Sequence, residues 1–117
     1  MWYYLAMEIK IIEKPIQEAE VKLIAESQFG NMVKFVVDVE REIIAMGGDL
    51  HADEEAVLIE KGSKQQNLWG INYYFEGDKV EFDSMINLRP SVGNMSRGVE
   101  DAGIQEKIRK IVGNLII

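Results

Sequence analysis

VKFVVDVEREIIAM, residues Val33 to Met46, holds two alternating apolar runs separated by a charged break. Val33, Phe35, Val37 and Val39 alternate with Lys34, Val36 and Asp38; Ile44 and Met46 alternate with Ile43 and Ala45. A period of two marks a strand, because successive side chains leave it on opposite faces. A tight turn at Glu40–Arg41 sets Val37 opposite Ile44 and Phe35 opposite Met46, so both apolar sets share a face. That turn contains neither Gly nor Asn, the residues that two-residue hairpin turns favour.

Towards the N-terminus, Met7–Lys14 reads as another strand, with Met7, Ile9 and Ile11 on one face and Glu8 and Lys10 on the other. Pro15 stops pairing and opens a helix, since its fixed φ suits a first turn. From Gln17 to Gln28 the stripe Val21, Ile24, Ala25 and Gln28 faces inward, and Gly30 ends the helix. Towards the C-terminus, Gly47–Gly48 close the hairpin, and Asp53–Lys61 reads as a short helix with an acidic first turn, stopped by Gly62. Within it, Ala56–Ile59 alone fits a buried strand as well.

A second hairpin is centred on Gly77–Asp78, a Gly-first turn. In that register Phe75 meets Val80, Tyr73 meets Phe82 and Trp69 meets Ile86 on one face; Tyr74, Asn72 and Gly70 face Glu81, Asp83 and Met85 on the other. Trp69, Tyr73, Phe82 and Ile86 should then pack together under a final helix, Ala102–Leu115, capped by Asp101. Its stripe is Ile104, Ile108, Ile111, Val112 and Leu115. The expected architecture is α+β: two antiparallel hairpins and an N-terminal strand packed with about three helices (β-α-β-β-α-β-β-α), one domain over residues 7–117. Residues 1–6, MWYYLA, read as an N-terminal extension.

Composition narrows the function classes. The 117 residues suffice to bury one core without covalent staples. The chain lacks cysteine, which removes disulfides, thiolate metal sites and thiol catalysis, and fits a reducing, cytoplasmic setting. A formal charge of −7 opposes nonspecific binding to nucleic acid. No apolar run approaches the roughly 20 residues that span a bilayer. Isoleucine is about twice as frequent as leucine, and Glu and Lys dominate the charges, a composition like that of thermophiles.

Three segments hold the chemistry. MINLRPSVGNMSRGVED, residues Met85 to Asp101, places Asn87, Arg89, Asn94, Ser96 and Arg97 around two glycines and a proline, ahead of a helix start. Two of only four arginines lie there, in a setting that suits an anion. Equally, Arg89 and Arg97 would bridge acids while Asn and Ser satisfy backbone groups. GGDLHADEE, Gly47 to Glu55, holds the only histidine, His51, with Asp49 and Asp53 two residues away on either side. In an extended stretch all three would point one way, as a divalent metal site or a base oriented by an acid requires. The plainer alternative is an acidic helix start beside a histidine that precedes the cap. The third segment is the polar strand face of Glu81, Asp83, Asn87 and Arg89, opposite Asn72, which a solvated sheet face also explains.

GGDLHADEE, followed by KGSKQQNLWG, EFDSMINLRPSVGN and SRGVED, resembles a small prokaryotic family of conserved proteins of unknown function, over most of the chain from about Met7 to the last helix. The resemblance implies that the polar segments belong to one pattern, and it brings no established activity. The leading expectation is a domain binding an anionic small molecule or an acidic partner group, with Asn87, Arg89, Asn94, Ser96 and Arg97 as ligands. The enzyme alternative is hydrolysis or phosphoryl transfer, with His51 as base or metal ligand and Asp53 or Asp83 assisting. The third is a structural or adaptor homo-oligomer using Trp2, Tyr3 and Tyr4, or Leu115–Ile117, as its interface. His51, Arg89 and Arg97 are expected to line one concavity with Asp83 or Asn87, and the enzyme reading requires it.

Overall fold

The computed structural model describes residues 8–117. The extension over residues 1–6, and the interface drawn from Trp2, Tyr3 and Tyr4, lie outside them. Five strands, β1 (Lys10–Ile12), β2 (Met32–Asp38), β3 (Ile43–Met46), β4 (Leu68–Tyr74) and β5 (Val80–Glu81), form one antiparallel sheet in the order β1-β3-β2-β4-β5. Three α-helices, α1 (Glu18–Ser27), α2 (His51–Glu60) and α3 (Ala102–Leu115), cover its two faces. The α+β expectation and its element order hold.

The first hairpin has the expected register, with Val37 opposite Ile44 and Phe35 opposite Met46. In place of Gly or Asn, Asp38 holds the turn. One of its carboxylate oxygens accepts the Glu40 and Arg41 N–H groups, both at 2.9 Å, and the other accepts the Ser63 hydroxyl. Glu42 takes the left-handed conformation at φ 58°, which closes the turn at some steric cost.

One face of the sheet buries Phe35, Val37, Ile44, Met46, Ile71 and Tyr73 against Val21 and Ala25 of α1 and Ile108, Ile111 and Val112 of α3. Each large side chain buried there contributes about 1.5–3 kcal/mol. The other face buries Val36, Ile43, Ala45 and Leu68 under Leu58 of α2. Cover on both faces explains why β2 and β3 are apolar at nearly every position rather than at alternate ones. Asp101 caps α3 as expected, accepting the Ile104 N–H at 3.1 Å. Gly30 follows α1 with φ 89°. Among the described residues no helix is long and apolar enough to cross a membrane.

Several expectations need correction. The first strand pairs only over Lys10–Ile12. Helix α2 begins at His51, two residues early, and the helical reading of Ala56–Ile59 prevails over the strand. The second hairpin is offset by two residues: Tyr73 meets Val80 and Asn72 meets Glu81. The even offset preserves each residue's face, but Gly77, at φ 68°, sits in a wider loop. Asp78 shapes that loop by accepting the Val80 N–H and pairing with Arg109 of α3. Beyond Glu81 the chain leaves the ladder and enters a 3-10 turn at Met85–Asn87. Trp69 therefore packs with the α1/α3 core and Ile86 with the α2 core, on opposite sides, and the expected Trp69–Ile86 pairing fails. Leu115 and Ile116 are buried within this chain's own fold, with Ile116 bridging Ile16, which leaves only Ile117 of that apolar end exposed.

Candidate functional site

The segment from Asp83 to Glu100 crosses the sheet's end before α3, and its polar side chains organise that crossing. It packs closely on Gly70 of β4, where a Cβ would stand 2.5 Å from the Ser84 Cβ and 3.2 Å from a His51 ring carbon. Only glycine admits such an approach. Asn87, wholly buried, accepts the Gly70 N–H at 2.8 Å and donates to the Gly70 and Arg97 carbonyls, both at 2.9 Å. It thus replaces the ladder partner that β4 loses at the end of β5. Asn94 donates to the Asn87, Ser96 and Gly98 carbonyls and accepts the Glu100 N–H. Ser96 accepts the Gly98 N–H at 3.1 Å.

The two arginines differ. Arg97 pairs with Asp83 at 2.7 Å, with both side chains substantially exposed. Arg89 gives its Nε–H to the Ile86 carbonyl at 3.0 Å and its terminal nitrogens to the Gln66 and Leu68 carbonyls. Its guanidinium carbon lies 4.4 Å from the centre of the Trp69 ring, a cation–π stack. Among the described residues it forms no ion pair. Burial lowers its pKa, and Glu55 opposes that shift electrostatically.

Arg89 stands in the wall of a cleft of about 760 Å³, against about 310 to 380 Å³ for four other concavities. The loop Leu88–Asn94 forms one side, Gln65, Gln66 and Trp69 at the start of β4 a second, and Glu100, Asp101 and Ile104 at the start of α3 the third. Paired hydrogen bonds between the Arg89 and Asn94 backbones pinch off the lobe Pro90–Gly93, and Gly93 turns it at φ 86°. Among the described residues the buried Trp69 indole N–H has no acceptor. Of the residues expected to bind, Arg89 and Asn94 line this cleft; Asn87, Ser96, Arg97, Asp83 and His51 do not.

His51 instead lies buried at the start of α2, its Nε2 2.7 Å from the Ile71 carbonyl. Burial drives its pKa down to about 4, with the Ile71 carbonyl opposing, so the imidazole is neutral near pH 7. Because the helix starts at His51, the period of two through Asp49 and Asp53 does not apply. Asp49 is exposed and near Gln28, while Asp53 is half-buried on α2. No three His, Asp or Glu side chains among the described residues converge as metal ligands. Glu54, one turn on, is completely buried; one oxygen accepts the Gly48 N–H at 3.0 Å and the other has no partner among the described residues. Burial raises its pKa well above the carboxylate range, with the Gly48 hydrogen bond opposing.

Sequence reasoning missed Gln65, Gln66, Trp69, Glu100 and Ile104 as parts of one site. The cleft joins three segments distant along the chain, and no spacing rule links them. Trp69 reads only as an apolar strand position, and the one available signal was the amide pair of KQQNLWG ahead of it.

No curated protein and no solved structure matches the chain. A family model described as "Protein of unknown function (DUF5674)" matches residues 10–115, nearly the whole chain. This agrees with the resemblance carried by the His51 and Arg89 segments: the chain belongs to the DUF5674 family of proteins of unknown function.

Proposed function

We propose that the cleft beside Arg89 binds a small molecule through an anionic group. The observation that carries this reading is the situation of Arg89. Its guanidinium is half-buried, stacked on Trp69 and held by three carbonyls, with no carboxylate in ion-pair range among the described residues. A partly desolvated cation balanced only by the more distant Glu55, with no carboxylate in contact, is unfavourable, and an arriving anion relieves that condition. Guanidinium has five N–H donors in a planar fork, and the carbonyls do not exhaust them. The remaining donors suit a carboxylate held by charge-assisted hydrogen bonds. The cleft volume falls in the range of small-molecule sites, and Leu88, Val92 and Ile104 give it apolar surface.

The test uses Trp69 as reporter, with Trp2→Phe removing the other indole. Fluorescence is titrated with carboxylate metabolites and with their neutral amides. Saturable change with carboxylates, absent with the amides and lost in Arg89→Gln, is expected. Arg89→Lys keeps the charge without the fork and should weaken binding. Equal responses to amides, or unchanged binding in both Arg89 variants, would overturn the proposal.

A further inference from the structure

We infer that the ligand of this cleft is zwitterionic: an apolar α-amino acid or a short apolar peptide, carrying an ammonium as well as a carboxylate. The inference rests on the anion site at Arg89 and narrows it. Two carboxylates share the cleft lining with Arg89. Glu100 is fixed by accepting the Met95 N–H at 2.6 Å, and Asp101 by accepting the Ile104 N–H at 3.1 Å. Each keeps one oxygen outside these bonds, and neither forms an ion pair with Arg89 or another cation among the described residues. The site thus holds one fixed cation and two fixed anions that do not neutralise one another by contact.

That pattern selects against a purely anionic ligand. Phosphate would meet half-buried Arg89 but also two exposed carboxylates, Glu100 and Asp101, on the same cleft, and like charge opposes it there. The partial positive charge at the start of α3 is about half a unit, less than the two carboxylates supply, so the rim remains attractive to a cation. A ligand with both charges meets complementary groups at both, and its specificity comes from that double match. The rest of the lining favours an apolar side chain: Leu88 and Val92 are exposed, Val92 at 67% of its surface, and Ile104 and the Trp69 ring complete the wall.

The experiment is calorimetric titration of the full chain with L-leucine, L-phenylalanine and leucyl-leucine. Parallel titrations use N-acetyl-L-leucine, which keeps only the anion, L-leucinamide, which keeps only the cation, and inorganic phosphate. We expect a zwitterion to bind and each blocked form to bind about tenfold more weakly or worse, the loss of one charge-assisted contact. Whether leucine or leucyl-leucine binds more tightly distinguishes the free amino acid from the peptide. Glu100→Gln retains an acceptor for the Met95 N–H, so it should weaken leucine and narrow its advantage over N-acetyl-leucine. If N-acetyl-leucine or phosphate equals leucine, the zwitterion inference fails while the anion site stands. If no carboxylate binds, or only leucinamide does, both fail.

Discussion

Replacing Asn87 with Ala separates a structural asparagine from a ligand-binding one. The side chain makes three hydrogen bonds of 2.8 to 2.9 Å, all to backbone groups of Gly70 and Arg97, and is fully buried. Its removal deletes those bonds and strands three polar groups next to the sheet. A neutral bond contributes about 1 kcal/mol net, and each buried group left without a partner costs about 1–3 kcal/mol. Water entering the small void would rescue part of this, so we expect a loss of about 3–5 kcal/mol. Asn87→Asp should cost at least as much at pH 7, because a carboxylate oxygen would face the Gly70 and Arg97 carbonyls. Urea unfolding followed by circular dichroism, with a constant m-value, gives the difference. A loss under about 1 kcal/mol for Asn87→Ala would refute the assignment of this side chain to backbone support.

The remaining predictions concern charge and packing. His51 has its folded pKa depressed to about 4 from 6.5, so its contribution is present above pH 6.5 and lost as pH falls towards 4. That loss amounts to about 3 kcal/mol, and it should flatten in His51→Gln when stability is measured against pH. Glu54 has the opposite sign: its folded pKa is raised, so its contribution is complete below about pH 4.5 and lost as pH rises through the folded value. Glu54→Gln should therefore match the parent near pH 4 and exceed it in urea midpoint at pH 8. Gly70→Ala drives a methyl into Ser84 and should cost about 2 kcal/mol or more in the same assay. Arg97→Ala breaks an exposed ion pair with Asp83 and should shift stability by less than about 1 kcal/mol.

The register of the hairpin at Val33–Met46 was readable because the charged break at Glu40–Arg41 places the turn between two short apolar runs, although both faces of those runs proved to be buried. Helix α3 was readable because its stripe, cap and length agree. The second hairpin was not, since the Gly-Asp signal gives the place of a turn but not its width. Asp78's bond to Arg109, thirty-one residues away, is a tertiary contact that no local rule contains. The Arg89 loop was found by composition, yet composition does not divide its work. Asn87 and Asn94 proved to be buried supports, Arg97 the partner of Asp83, and Arg89 alone of the two arginines faces the cleft. His51 drew interest by being the only histidine, whereas its place in the first turn of α2 depended on where that helix began.

A ligand site at Arg89 should show itself in amide and indole proton–nitrogen correlation spectra of the full chain during titration with the tightest-binding carboxylate of the panel. Saturable shifts are expected at the Trp69 indole, Gly93, Asn94 and Ile104, with His51 and Arg97 little changed. Shifts gathered instead around His51, Asp83 and Arg97, or no saturable shift with any carboxylate, would contradict it.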